Sequence, residues 1–262
     1  MIDIAITGAA GRMGRRLVAL AKQDGAFRVV GALEAPGHVF LGHDAGTLAG
    51  VGPLGVPVTS ELTAPAQVLI DFTVPAATRQ FLALCRSRKI AHLIGTTGLS
   101  LADHALIDEA AREIPVLQSP TMALGVAVLY RLAAEAAKLL GDEYDIEIVE
   151  AHHRFKKDAP SGTALGLADA ILKAVGKTRE ALKYERHGDD VTRKKGEISM
   201  QALRMGDEVG MHTAYFGALG ERLELTHRAT SRDTFVLGAL RAAKWLAEQK
   251  PGRYRLADVL GI

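Results

Sequence analysis

The sequence predicts an α/β protein with a doubly wound parallel sheet in a first domain and a second, α+β domain built on a mostly antiparallel sheet. Three features predict it. Short apolar runs alternate with helical patterns between Ile2 and Leu117, a glycine-rich turn joins the first run to the first helix, and from Glu197 three β-like runs follow one another across short turns.

In chain order, Ile2 to Ile6 reads as a buried strand, Arg12 to Lys22 as a helix and Phe27 to Leu33 as a second strand, a β-α-β opening. Residues 35–66 carry Gly37, Gly42, Gly46, Gly50, Gly52 and Gly55, which predicts a long loop with at most one short strand. The alternation resumes with a strand from Val68 to Phe72, a helix after Pro75, a strand over Ile90 to Ile94, a helix over Leu101 to Arg112 and a strand at Val116-Leu117. An apolar helix from Met122 to Leu140 is interrupted by Arg131, Glu135 and Lys138, so it reads as an interior helix and not as a membrane span, which needs about 20 mostly uncharged residues. A strand over Tyr144 to Glu150, a polar loop, a helix from Ser161 to Val175 and a charged segment to Lys195 come next. The runs Glu197 to Arg204, Glu208 to Phe216 and Arg222 to Arg228 predict an antiparallel meander, with Leu223 and Leu225 on its apolar face and a leftover face suited to sealing an oligomer. The last helix, Thr234 to Glu248, is expected to return to the first domain. The domains are therefore drawn as 1–121 plus 233–262, binding a dinucleotide, and 122–232, binding substrate and mediating assembly.

Composition narrows the function classes. The chain has 262 residues, 48% hydrophobic and 24% charged, as expected of a folded soluble protein. Its formal charge is +2, from 32 basic against 30 acidic side chains, which predicts neither a nucleic-acid nor a membrane partner. The start lacks the pattern of a signal peptide. A lone cysteine, Cys85, excludes an internal disulfide and suits a reducing cytosol, where it reads as a core hydrophobe; the expected location is the cytoplasm.

The turn Gly8-Ala9-Ala10-Gly11-Arg12-Met13-Gly14 follows a strand and opens a helix. Its spacing is G-x-x-G-x-x-G, but glycines still permit a tight turn and free helix-start amides still attract a pyrophosphate, as in a Rossmann-like domain. Glu34 ends the second strand 20 positions after Gly14, where a carboxylate can accept hydrogen bonds from ribose hydroxyls. Asp71-Phe72-Thr73 and Gly95-Thr96-Thr97-Gly98 end further strands at the same crevice, as approaches for a ribose or nicotinamide or as ordinary threonine-capped turns.

The most distinctive segment is His152-His153-Arg154-Phe155-Lys156-Lys157-Asp158-Ala159-Pro160-Ser161-Gly162-Thr163. Cationic side chains crowd the approach to a helix whose predicted N-cap is Ser161, leaving the amides of Gly162 and Thr163 as anion donors. That combination suits one or two carboxylates, and a histidine among lysines suits general acid catalysis. The competing reading is a solvated basic loop. No metal site is expected, because adjacent histidines diverge and no His-x-x-x-His spacing occurs. The histidines at 92, 104, 187 and 212 read as single core or surface residues.

These motifs together resemble the dihydrodipicolinate reductase family of bacterial lysine and diaminopimelate synthesis. The resemblance rests on Gly8 through Arg15, Gly95 to Gly98, and above all Glu150-Ala151-His152-His153-Arg154 through Ala164, with Asp44-Ala45-Gly46 and Gly220 to Glu224 in support. It implies NAD(P)H-dependent reduction of 4-hydroxy-tetrahydrodipicolinate, with loss of water, to tetrahydrodipicolinate. It further implies that His152 is the general acid and Lys156 a second proton donor, and that His153, Ser161, Gly162 and Thr163 hold carboxylates of the small dicarboxylate substrate. For the cofactor it implicates Gly8, Ala9, Ala10, Gly11, Arg12, Met13, Glu34, Gly95, Thr96, Thr97, Ser119, Pro120, Thr121 and Met122, and for assembly a homotetramer. The chain departs from the family pattern at Thr121, often asparagine, at Ala123, often serine, and at Phe155, often polar. Ala35 stands where some members carry an arginine that could pair with a 2′-phosphate. With Glu34 beside it, the expected cofactor is NADH in preference to NADPH. Two other functions share the first domain: an NADH-binding regulator without catalysis, and a reductase of another small dicarboxylate.

Overall fold

The computed structural model describes residues 1–262 and divides them into two compact units, Met1–Ala123 with Phe235–Gly261, and Leu124–Thr234 with Ile262.

The first unit is built on seven parallel strands. In chain order its elements are β1 (Ile2–Thr7), α1 (Arg12–Asp24), β2 (Phe27–Leu33), α2 (Ala45–Leu48), β3 (Val58–Thr59), β4 (Val68–Asp71), α3 (Pro75–Arg88), β5 (Ala91–Ile94), α4 (Leu101–Ala110) and β6 (Pro115–Gln118). The unit is completed by α7 (Asp233–Leu246), β12 (Gly252–Tyr254) and α8 (Leu256–Leu260). The second unit supplies α5 (Leu124–Leu140), β7 (Asp145–His152), α6 (Gly162–Ala174), β8 (Leu182–Lys183), β9 (Ile198–Arg204), β10 (Gly210–Ala218) and β11 (Glu221–Ala229).

Sheet order in the first unit is β12-β6-β5-β4-β1-β2-β3, every pair parallel. The chain leaves β1 toward β2 and β3, then restarts at β4 on the other side. The switch point therefore lies between β1 and β4, and in open parallel sheets ligands bind beyond the carboxyl ends of the strands at that place. Central strands such as β4 and β5 are buried at every position, which is why they read as unbroken apolar runs.

Residues 35–66 hold more structure than expected. Asp44 accepts hydrogen bonds from the amides of Thr47, Leu54, Gly55 and Val56, at 2.7–3.1 Å, and so gathers the glycine-rich loop around one carboxylate. The four-residue α2 that it caps is too short for hydrophobic periodicity to reveal.

The second sheet has the order β11-β10-β7-β9-β8 and is mixed. Antiparallel ladders join β10 to β11 and to β7 over most of their length, while β9 runs parallel to β7 and β8 parallel to β9. This corrects the expected meander, because β9 and β10 are not neighbours and β7 lies between them. The residues linking them were read as a turn between adjacent strands, yet five residues at about 3.3 Å each readily cross the roughly 10 Å between strands two places apart. The crossing is fastened at the end of β7, where the Met205 amide donates to the His152 carbonyl (3.0 Å) and the Arg154 amide to the Gly206 carbonyl (3.2 Å).

Helices α5 and α6 cover one face of this sheet, with Leu129, Ala133, Leu167 and Ile171 packed on Ile148, Met200, Ala214 and Phe216. Leu225 packs against that core, whereas Leu223, on the same face of β11, is exposed. The expectation of an interior helix over Met122 to Leu140 is also corrected. One stripe of α5 is buried, whereas Val128, Leu132 and Leu139 are exposed.

Candidate active site

In the first unit, the turn after β1 is shaped by close backbone approach. Gly8 has φ +63°, and a Cβ on Gly14 would stand 2.1 Å from the Gly8 carbonyl oxygen, so α1 starts hard against the strand end. Three turn amides are already engaged: Ala9 donates to the Leu33 carbonyl (3.1 Å), Ala10 to Glu34 Oε1 (2.9 Å) and Gly11 to the Gly8 carbonyl (3.0 Å). The amides that open α1, from Arg12 and Met13, have no carbonyl one helical turn behind them and are the donors left for an anion. Arg15 backs the turn, its Nε donating to the Ala10 carbonyl (2.7 Å) and its guanidinium lying 5.0 Å from the Phe40 ring centre. A bare turn, a helix start and the Glu34 carboxylate fit the pyrophosphate and ribose of a dinucleotide.

The two other strand ends divide differently from the expectation. Asp71 is fully buried at the end of β4 and gathers the hydroxyls of Thr7 (3.0 Å), Thr73 (2.6 Å) and Thr78 (2.7 Å), with His92 Nε2 3.6 Å away. Burial opposes its ionisation, but His92 and the hydroxyls outweigh burial and hold the carboxyl below its ordinary range. The Thr96 hydroxyl belongs to this buried cluster, 3.3 Å from Asp71 Oδ1 and 2.9 Å from the Thr78 hydroxyl. Thr96 thus supports its turn from below, while Thr97 is exposed. A Cβ at Gly95 would lie 2.4 Å from the Phe72 ring, so any side chain there would displace that ring. After β6, Ser119 donates to the Thr121 carbonyl (2.6 Å), the Thr121 hydroxyl accepts from the Ala123 amide (3.3 Å), Met122 is buried and Pro120 exposed.

In the second unit the cationic loop leaves the end of β7. Alternation along that strand puts Glu150 and His152 on one face. Glu150 is fully buried, and its carboxylate takes both Nη atoms of Arg204 (2.8 and 2.7 Å), the Ser161 amide (3.1 Å) and a 2.5 Å contact with His152 Nδ1. Burial alone would raise the Glu150 pKa; the bonds from His152 and Arg204 win and hold it at about 2. A carboxyl depressed from 4.5 on folding stabilises the fold fully above that pH and loses the contribution as pH falls toward 2. We expect Glu150→Gln to flatten the decline of Tm between about pH 5 and pH 3, measured by scanning calorimetry; parallel curves for both proteins would refute this.

Ser161 caps α6, its Oγ accepting from the Ala164 amide (3.1 Å), and it is 2% exposed. The same hydroxyl lies 3.0 Å from His212 Nε2. His212 is buried, and burial, then the neighbouring His152, push its pKa down to about 3, so its ring is neutral near neutral pH. Gly162 is exposed and Thr163 half-buried at the helix start, and the Thr163 carbonyl accepts from the Tyr130 hydroxyl (2.8 Å). His153 is half-buried, Phe155 is exposed with its ring 6.3 Å from that of His153, and Lys156 Nζ donates to Asp158 (2.9 Å).

Sequence reasoning gave no role to Glu150, Arg204 or His212. The Glu-x-His spacing on a predicted strand was a usable signal for the first. Arg204 and His212 reach the site only through register, His152 facing Arg204 and Glu150 facing His212 across the sheet.

Family models match both halves of the chain: "Dihydrodipicolinate reductase, N-terminus" over residues 2–122 and "Dihydrodipicolinate reductase, C-terminus" over residues 125–260. The 4-hydroxy-tetrahydrodipicolinate reductases of Geotalea uraniireducens (strain Rf4) and Myxococcus xanthus (strain DK1622) are each 47% identical to the chain over all its length, covering 100% and 98% of their own. Among solved structures, a dipicolinate-bound dihydrodipicolinate reductase from Paenisporosarcina sp. TG-14 shares the fold with a TM-score of 0.77 at 24% identity, over 98% of this chain and 99% of that one. Matched end to end by sequence, the chain belongs to the dihydrodipicolinate reductase family.

Proposed function

We propose that the chain reduces 4-hydroxy-tetrahydrodipicolinate to tetrahydrodipicolinate, with loss of water, in lysine and diaminopimelate synthesis. One observation carries the reading beyond family membership: His152, bonded to a buried carboxylate, stands beside a cation-rich loop and a capped helix start. A nucleotide-binding regulator has no use for such a site.

Bound NAD(P)H supplies the hydride. The amides of Arg12 and Met13 hold its pyrophosphate and Glu34 a ribose, with Gly8 to Gly11, Gly95 to Thr97 and Ser119 to Met122 forming the walls. On the second unit His153, Ser161 and the amides of Gly162 and Thr163 orient the substrate carboxylates. His152 delivers a proton to the reduced substrate, and Lys156 is the second donor. Such proton transfer is worth roughly 100- to 10,000-fold.

Glu34, already bonded to the Ala10 amide, presents negative charge where NADPH would bring a 2′-phosphate, which favours NADH. We read the assembly as a homotetramer in the cytoplasm. Exposed Leu203, on the sheet face away from the helices, supports an assembly through that face, and no helix is long and apolar enough to cross a membrane.

The test is oxidation of NADH and of NADPH while an upstream synthase makes the substrate in situ from pyruvate and aspartate semialdehyde. Substrate-dependent oxidation, faster with NADH, is the expected result. Equal or faster NADPH turnover would overturn the cofactor preference. Absence of oxidation by protein that binds both nucleotides would overturn the reductase reading.

A further inference from the structure

We propose that Glu150, clamped by Arg204, is a positioning residue that fixes which nitrogen of His152 exchanges its proton; the inference rests on His152 serving as the acid. A carboxylate offers about four lone-pair sites, and two Arg204 nitrogens, the Ser161 amide and His152 Nδ1 fill them. An ionised carboxylate has no proton to give. Nδ1 of His152 therefore carries the hydrogen of that contact, and Nε2 is the nitrogen that gives up and regains a proton. The fold leaves room beside it: position 210 is glycine, and a Cβ there would stand 3.1 Å from Nε2.

The clamp reaches further than the ring. Through Oε1 the same carboxylate holds the Ser161 amide, at the cap of the helix start assigned to the substrate carboxylate. Arg204 Nη2 also donates to the Asp158 carbonyl (2.7 Å), two residues beyond Lys156. One ion pair thus ties the acid, the anion site and the lysine loop together. A gain in stability over an apolar core is not what such a pair usually brings, since replacing a buried ion pair by apolar groups of similar size is often neutral or stabilising.

That principle supplies the test. The double variant Glu150→Leu with Arg204→Met removes both charges together, and Glu150→Gln keeps the side-chain volume should the double variant not fold. Each is compared with the wild type by ¹⁵N NMR of the histidine rings and by steady-state kinetics. In the wild type the neutral His152 ring is expected to carry its proton on Nδ1, and both variants should lose that single-tautomer signature. Their kcat should fall at least about 100-fold, with NADH affinity unchanged. A folded variant with wild-type kcat, or a wild-type ring protonated on Nε2 alone, overturns the proposal. The ring spectra need no substrate, so they decide the Glu150–His152 relation even if the wild type fails to oxidise either nucleotide, an outcome that overturns the reductase reading instead.

Discussion

Replacing Lys156 by alanine is expected to lower kcat by roughly 100- to 10,000-fold while changing NADH affinity by less than about twofold. The asymmetry follows from where the residue sits. Lys156 belongs to the second unit, in a loop anchored by the bond from its own amide to the His153 carbonyl and from the Arg154 amide to the Gly206 carbonyl. The glycine turn, the α1 amides and Glu34 all belong to the first unit. Lys156→Arg should not restore the rate, because a guanidinium holds its proton through the whole working range and a second proton donor must release one. Steady-state kinetics with varied substrate, beside NADH binding followed by fluorescence, checks both halves. Wild-type kcat in the alanine variant would leave His152 as the sole donor.

The largest effect on stability is expected from Gly14→Ala. The added methyl would stand 2.1 Å from the Gly8 carbonyl oxygen, 2.5 Å from Ala9 Cα and 2.8 Å from the Gly8 carbonyl carbon. All three are backbone atoms, so no side chain can swing aside. The turn cannot retreat easily either, because the Ala9 and Ala10 amides are bonded to the end of β2. Relief requires moving α1 off the sheet, with Leu17, Val18 and Ala21 buried along it. Overpacking of this kind costs about 3 kcal/mol or more and should remove nucleotide binding as well. Gly25→Ala is the control, for nothing lies within 4 Å of its Cβ position and only the strain of φ +69° remains, about 1 kcal/mol. A Tm for Gly14→Ala equal to that of the control would mean the turn yields after all.

How far the fold was legible depended on how local each signal was. β2 spans Phe27–Leu33 and α6 begins after the Ser161 cap, both as read, because a buried strand and a capped helix write themselves into consecutive residues. Elements of three to five residues, such as α2, β12 and α8, were missed for the opposite reason, being shorter than the periods that would disclose them. The order of the second sheet was misread because turn length limits how far a strand can land without saying which neighbour it meets. In the candidate site, the glycine turn and the His-His loop announced themselves as motifs. Arg204 did not, since its meaning lies in standing opposite His152 after 51 intervening residues of chain have folded.

The placement of β7 between β9 and β10 also bears on how the protein acquires its site. A strand flanked by sequence neighbours can pair as soon as the next turn closes. β7 has no such neighbour: its partners begin at Ile198 and Gly210, beyond a helix and a long charged segment. Closing loops of that length carries an entropic cost that must be met before either ladder returns any stabilisation, and topologies rich in such distant pairings fold slowly. The strand that ends in His152 therefore has no partner for its first ladder until the chain through Arg204 has formed. Its acid and carboxylate on β7 and the arginine on β9 that clamps them meet only through that distant pairing.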